Sequence, residues 1–296
     1  MRRLACLAFV VVVGCGSLGT SQPHALSLAY KPGDTYKYRF HSTTKQTATM
    51  SGMAVPVNID TTADESVTVK AVTASGDAQL AVTLSNLTVK TSLGGVTNTT
   101  TGTPSTTVDI ELAPDGRLVT VAGNHVAASS PLLAFTSLGA SFFVSAILPD
   151  HAVKPGDTWT KEYDQATPGD KGAVHITAKS SYLRDESAGG VNAAVVETRS
   201  TGNIDVDTTA TASKDGMPGI SVKGTFATDV TTWIDPSGHR IVKSHSTATD
   251  DATVALPSTS PPAISASPAP TPPTLPANLS GPIQLTGTAS TDLNPA

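Results

Sequence analysis

From Thr35 onward, hydrophobic and polar residues alternate one by one. Tyr36, Tyr38 and Phe40 fall on one side and Lys37, Arg39 and His41 on the other, the period-2 pattern of a half-buried strand. The alternation returns in "ESVTVKAV", "AQLAVTLSNLTV", "TVDIEL" and "LVTV", and again in "TWTKEY", "AVHITAKSSYL", "AAVVETRSTGNIDV" and "ISVKGTFATDVTTWI". Turn residues separate these runs. Lys31-Pro32-Gly33-Asp34 has Pro to fix φ at the first corner and Gly to take positive φ at the second. Gly76-Asp77 and Gly189-Gly190 read as hairpins, and "GGVTNTTTGTP" and "SKDGMPG" as long polar loops.

Two turns occur twice. "KPGDT" precedes an aromatic strand at Lys31 and again at Lys154, and "APDGR" has a counterpart in "DPSGHR". Pro32 to Pro155 is a shift of 123 and Gly116 to Gly238 a shift of 122. Two landmarks that hold one offset across most of the chain predict a duplicated β unit, with halves over about 26–123 and 150–256.

One stretch breaks the alternation. "SSPLLAFTSLGASFFVSAIL" carries Leu132, Leu133, Phe135, Leu138, Phe142, Phe143, Val144 and Ile147, apolar nearly all round. Ser130 can cap it, Pro131 suits its first turn and Pro149 stops it, so a helix is expected over about 130–148. Such a helix is buried against a sheet or sits in lipid, and the sheet needs a cover. The fold class that follows is mainly β: a large curved antiparallel sheet, half-barrel or barrel-like, built from two duplicated units with the apolar helix packed on it. Residues 257–276 hold eight prolines and read as a spacer. Residues 277–296 regain weak alternation and read either as a final strand paired with "RIVKSHSTAT" or as a disordered tail.

Composition sharpens this picture. Aromatics make up 4% of the 296 residues, so the core is built from Val, Leu, Ile, Ala and Thr methyls, which favour strands. A formal net charge of −5 argues against a nucleic-acid partner, which calls for clustered Lys and Arg. At the N-terminus Arg2 and Arg3 precede an unbroken apolar run of ten residues, Leu4 to Val13, too short to span a bilayer but right for the h-region of an export signal. "VVGC" closes it and resembles the lipobox of bacterial lipoproteins, with Val12 where Leu is commonest. The resemblance implies a signal peptide over 1–14, lipidation of Cys15, a tether over 15–25 and a membrane-anchored, extracytoplasmic protein. An ordinary secretory signal cut later, with Cys15 incidental, is the plainer alternative. Cleavage before Cys15 also removes Cys6 and leaves no pair for a disulfide, so the domain over 26–256 must be stabilised by its core.

Chemistry is scarce. No Gly-x-Ser-x-Gly elbow, phosphate loop, Cys-x-x-Cys or His-Glu-x-x-His motif is present, so neither catalysis, a cofactor nor a metal is expected. Ser42-Thr-Thr-Lys45 matches the Ser-x-x-Lys of penicillin-recognising enzymes, but it falls in a strand that puts Ser42 and Lys45 on opposite faces. Asp205 and Asp207 share a strand face, most simply as solvated acids. Asp34 and Asp157 follow the repeated turns and suit bonding to nearby N–H groups. Lys37, Arg39, His41 and Lys45 make a basic strand face, either solvated or turned to anionic headgroups. Trp159 and Trp233 are core anchors or, in the sharper reading, pocket walls.

The lipobox, the paired "PGDT[YW]" turns and "LPDHAVKPGDTW" resemble a family of uncharacterised bacterial exported lipoproteins with repeated PGD-Tyr/Trp turns, over roughly Leu26 to Leu256. More distantly, and at fold level alone, the arrangement is similar to LolA/LolB-like and mycobacterial lipoprotein carriers, in which a half-barrel holds acyl chains beneath helices. That likeness implies an apolar ligand, lipid or lipoprotein acyl chain, lined by Leu132, Phe135, Leu138, Phe142 and Phe143 of the helix and Tyr36, Tyr38 and Trp159 of the sheet. A cell-envelope scaffold with a filled core and a protein partner is the competing reading.

Overall fold

The fold is given by a computed structural model that describes residues 23–102, 105–122, 145–166, 173–207, 221–255 and 282–296. Each alternating run becomes a strand, and most run much longer than the alternation marks. They are β1 (Thr35–Met50), β2 (Met53–Val72), β3 (Ala78–Leu93), β4 (Val96–Thr101), β5 (Thr106–Leu112), β6 (Leu118–Ala122), β7 (Thr158–Ala166), β8 (Ala173–Ala188), β9 (Val191–Asp207), β10 (Ser221–Asp235), β11 (Arg240–Ala255) and β12 (Ile283–Pro295). All pair antiparallel in one curved sheet ordered β6-β5-β3-β2-β1-β12-β11-β10-β9-β8-β7, with β4 folded back on β3.

The last strand lies in the middle. β12 pairs with β11 through Ser244–Leu293 to Val254–Ile283, and with β1 through Tyr38–Pro295 to Thr49–Gln284. On one side of it stand β1, β2, β3, β5 and β6; on the other stand β11, β10, β9, β8 and β7. The five-strand courses follow one another in the same sense, and their hydrogen bonds correspond. In the first "KPGDT" turn Gly33 N–H donates to Val69 O at 2.9 Å, and Val69 N–H to Asp34 O at 2.9 Å. In the second, Gly156 N–H donates to Tyr182 O at 2.7 Å, and Tyr182 N–H to Asp157 O at 3.0 Å. Both glycines have positive φ, 92° and 96°, a conformation that L side chains resist. The pairing shifts register just past each contact, between Val69 and Ala71 and between Tyr182 and Arg184. It shifts again between Glu111 and Leu112 in one course and Trp233 and Ile234 in the other.

Two expectations change. "GGVTNTTTGTP" does not run as a loop throughout: Gly94 and Gly95 turn the chain, and Val96–Thr101 returns along β3 as β4. The expected helix is not found in the described residues. Its last positions, 145–148, are extended, because their N–H groups are bonded across to other strands and not along a helix. The rest of 130–148 lies outside the described residues, as do Leu132, Phe135, Leu138, Phe142 and Phe143. No helix among the described residues is long and apolar enough to cross a membrane.

Candidate functional site

One end of the curved sheet is stopped by two extended pieces of chain. Residues 24–30 and 145–153 meet where His24 and Val153 exchange backbone hydrogen bonds at 2.7 and 2.9 Å. Leu28 N–H donates to Pro114 O at 2.7 Å and Ala29 N–H to His239 O at 2.9 Å, which ties the first piece to both halves. The second piece has no strand beside it, so side chains bond its backbone. Ala146 N–H donates to Thr232 Oγ1 at 2.8 Å, Ile147 N–H to Thr198 Oγ1 at 2.9 Å, and Trp159 Nε1–H to Ile147 O at 2.9 Å. Leu26, Leu28, Ala146, Leu148 and Val153 pack there against Val67, Val69, Leu80, Tyr182, Ile234 and Ile241 to form a solid floor. The edge strands approach each other at this end without pairing. Lys161 Nζ of β7 reaches Asp115 at 2.9 Å, and the Arg117 guanidinium lies 5.8 Å from the Tyr163 ring centre.

Beyond the floor the inner wall continues, and its lining changes around the sheet. Across β10, β11, β12 and β1 it is mostly small and hydroxylic, with Thr228, Ser246, Ala248, Ala289, Thr291, Ser42 and Thr44, and Phe226 and Val230 of β10 face the same way. Ser42 Oγ and Thr291 Oγ1 bond one another at 3.1 Å, so this wall satisfies itself. Across β2 and β3 it is mainly apolar, with Thr61 and Thr91 set among the apolar groups. Phe40, Ala63 and Leu84 cluster with Leu87, and Val57, Ile59, Val89 and Leu93 extend the track. At the far end Ala48, Met50, Val222, Ala252, Val254, Ile283 and Leu285 form a second apolar cluster.

Two polar groups interrupt this wall. Gln46 reaches over Gly287, where a Cβ would stand 2.9 Å from Gln46 Cγ, and donates to Asp250 Oδ2 at 3.2 Å. Burial pushes the Asp250 carboxyl up, against the pull of the Gln46 hydrogen bond, and Gln46 Oε1 is buried without a partner. The second group is Glu65 on β2, 1% exposed. It stands opposite Tyr38 and Leu84, between the floor residue Val67 and the Ala63 cluster. Neither of its carboxylate oxygens has a hydrogen-bond partner. Burial alone raises its pKa from the ordinary 4.5 to about 8, so the group is held protonated at neutral pH. The Tyr38 hydroxyl is raised by its own burial and by Glu65 across from it.

Of the residues expected to line a pocket, the described ones sit in or beside the floor. Tyr38 donates to Ile241 O at 2.8 Å, Trp159 to Ile147 O at 2.9 Å, and half-buried Tyr36 to Asp34 Oδ2 at 3.0 Å. Cys15 lies outside the described residues. The basic face of Lys37, Arg39, His41 and Lys45 is exposed but interleaved with acids: His41 Nε2 lies 3.2 Å from Asp60, and Arg39 stands opposite Asp64. Asp205 pairs with Lys223 at 3.3 Å, and Asp157 accepts from Lys154 N–H at 2.9 Å. Among the described residues no group of three or more His, Cys, Asp or Glu is placed to hold a metal ion. An open groove of about 500 Å³ crosses β8–β11, walled by Thr201, Asn203 and Thr225 together with His175, Phe226, Asp250 and Asp251. Glu65 was missed as a site residue. The signal for it was its spacing, two and four residues before Val67 and Val69, which forces the acid onto the buried face.

No protein-family model matches the chain, and none of the curated proteins matches it significantly. Among solved structures it is similar to "Lipid-protein interactions in lipovitellin", at 12% sequence identity and a TM-score of 0.44. That likeness covers 90% of this chain and about a quarter of the other, 25%.

Proposed function

We propose that the protein is a lipoprotein, anchored through Cys15 on the extracytoplasmic face of a bacterial membrane, that holds an apolar molecule inside its curved sheet. The observation that carries this reading is the inner wall beyond the floor. An eight-stranded barrel already reaches the width at which side chains just fill the interior or leave room for one small ligand. Eleven strands side by side, about 4.8 Å apart, give a wall roughly 50 Å around, with β4 folded back on β3. Much of that wall carries short Ser, Thr, Ala and Gly side chains, while β2 and β3 present a mainly apolar track of Val57, Ile59, Ala63, Leu84, Leu87, Val89 and Leu93. A floor closed by hydrogen-bonded chain and a wide small-residue wall beyond it suit a container better than a catalyst. The repeated turns and matched register shifts support the reading of the two courses as copies of one β unit, a way to make a wall this wide from one pattern.

The test is native mass spectrometry of residues Gly16–Ala296, which include all twelve strands, purified without detergent and followed by solvent extraction. A stoichiometric apolar molecule is expected. A clean mass of the bare chain after exposure to a lipid extract turns the reading towards a scaffold with a protein partner.

A further inference from the structure

Resting on the carrier reading, we infer that Glu65 anchors the polar end of the bound molecule, and that this end is an uncharged hydroxyl and not a carboxylate, phosphate or amine. A carboxyl buried to 1% exposure with both oxygens unpartnered is a standing cost to the fold, since a buried polar group without a hydrogen bond loses its water for nothing. Its placement suits an anchor. Glu65 stands just beyond the floor, where an elongated molecule entering from the far end would stop, and the apolar track of Ala63, Leu84, Leu87, Ile59 and Val89 leads away from it.

The charge of the head group follows from the wall. The inward positions of β1 from Tyr36 to Met50, of β2 from Val57 to Val69 and of β3 from Leu80 to Leu93 hold no Lys, Arg or His. Towards the floor Arg240, beside the Tyr36 ring, is turned to Asp235 at 3.4 Å. A carboxylate or phosphate seated at Glu65 would therefore be a buried anion without a counter-charge. An ammonium would ionise Glu65 and set two desolvated charges in an apolar wall, with no further groups to satisfy their hydrogen bonds. A hydroxyl needs neither. It accepts the carboxyl O–H and donates to the carboxyl C=O, matching a protonated acid atom for atom. The burial that keeps Glu65 protonated at neutral pH supports that match.

The experiment is displacement of the uncharged fluorescent probe N-phenyl-1-naphthylamine from residues Gly16–Ala296 at pH 7, by 1-hexadecanol, hexadecanoate and hexadecylamine in turn. Hexadecanol is expected to displace the probe at concentrations about ten-fold below the other two, a difference of one hydrogen bond's worth of affinity. Glu65→Leu should weaken displacement by hexadecanol about ten-fold, with displacement by hexadecanoate and hexadecylamine as the reference, and Glu65→Gln, which still donates and accepts, should stay within about three-fold. A thermal melt of each variant, at least as stable as the parent, establishes that the sheet is intact. If hexadecanoate or hexadecylamine displaces as well as hexadecanol, or Glu65→Leu leaves displacement by hexadecanol unchanged, the anchor is overturned and the container stands. If the parent takes up no probe at all, the container falls as well.

Discussion

The two courses of the sheet share a backbone pattern and differ at one set of inward positions. In the first, Tyr38, Glu65 and Leu84 lie side by side on β1, β2 and β3. The corresponding places on β7, β8 and β9, counted from the matched turn and bulge contacts, hold Lys161, Ala178 and Ser200. Each course thus has one side chain here that is charged in its ordinary state at neutral pH. Lys161 is fully engaged, with Asp115 at 2.9 Å and Asp150 at 3.1 Å, and its hydrogen bond and charge hold the Asp150 carboxyl below its ordinary range. Glu65 is buried alone. The pair around Lys161 joins the sheet edges, so its role is structural. An acid whose two oxygens no protein group bonds adds nothing to the fold by hydrogen bonding.

The contrast can be broken at several points. The severest is the joint between the courses. Ending the chain at Leu256 removes β12 and leaves β1 and β11 facing an empty place, and the shortened chain should show no cooperative thermal transition by circular dichroism; a sigmoidal melt would mean that the courses fold as separate units. Next, Glu65→Leu should stabilise the protein by roughly 3 kcal/mol at pH 7, from the shift of its pKa between 4.5 unfolded and about 8 folded. The folded state keeps a proton that the unfolded chain has lost within that window, so the parent's stability in urea should fall as pH rises from 4.5 to 8 and then level off. The component of slope due to Glu65 should vanish in the variant, and an unchanged slope refutes the assignment. Lys161→Met, by contrast, should destabilise by about 2 kcal/mol, because it strips Asp115 of a half-buried partner; no loss in urea melts would make that pair incidental. The smallest effect tests the likeness itself. Gly33→Ala and Gly156→Ala meet nothing within 4 Å of the added Cβ and differ little in φ, so each should cost about 1 kcal/mol, the two agreeing within about 0.5. Clearly unequal losses would mean that the turns are alike in sequence alone.

Much of the fold was legible because antiparallel strands with one buried face write their period into the chain. Tyr38 and Phe40 are buried and Lys37, Arg39 and His41 exposed, as the alternation requires. The paired turns were legible because a positive φ at Gly33 and Gly156 narrows the choice of residue. Other features left no such mark. β4 is exposed at every position, so "VTNTTT" carries no hydrophobic signal and is held by the backbone of β3. Ser42, Thr44 and Gln46 are buried although polar, so the rule that polar means outward fails where the wall is hydroxylic. The stretch 145–148 has helical composition, but hydroxyls of Thr198 and Thr232, far off in sequence, take its N–H groups. Glu65 was legible as a strand residue and illegible as a site, because an acid at the head of an alternating run looks like a solvated start. The weak alternation over 277–296 left a final strand and a disordered tail both open, and named β11 but not β1 as a neighbour of β12.

The place of β12 sets a timetable for the molecule. A chain that emerges from its N-terminus presents β1 first and β11 much later, and each must wait, with an open row of N–H and C=O groups, for a strand that follows all the others. Such open edges invite pairing with other chains, and contacts between distant parts of a sequence form slowly. A chain interrupted before β12 therefore has two adhesive seams and no means of closing them, while one that has reached it seals both with the same thirteen residues. The wall closes its middle only once β12 has been made, and anything that guards the emerging chain has to hold on until that strand has passed.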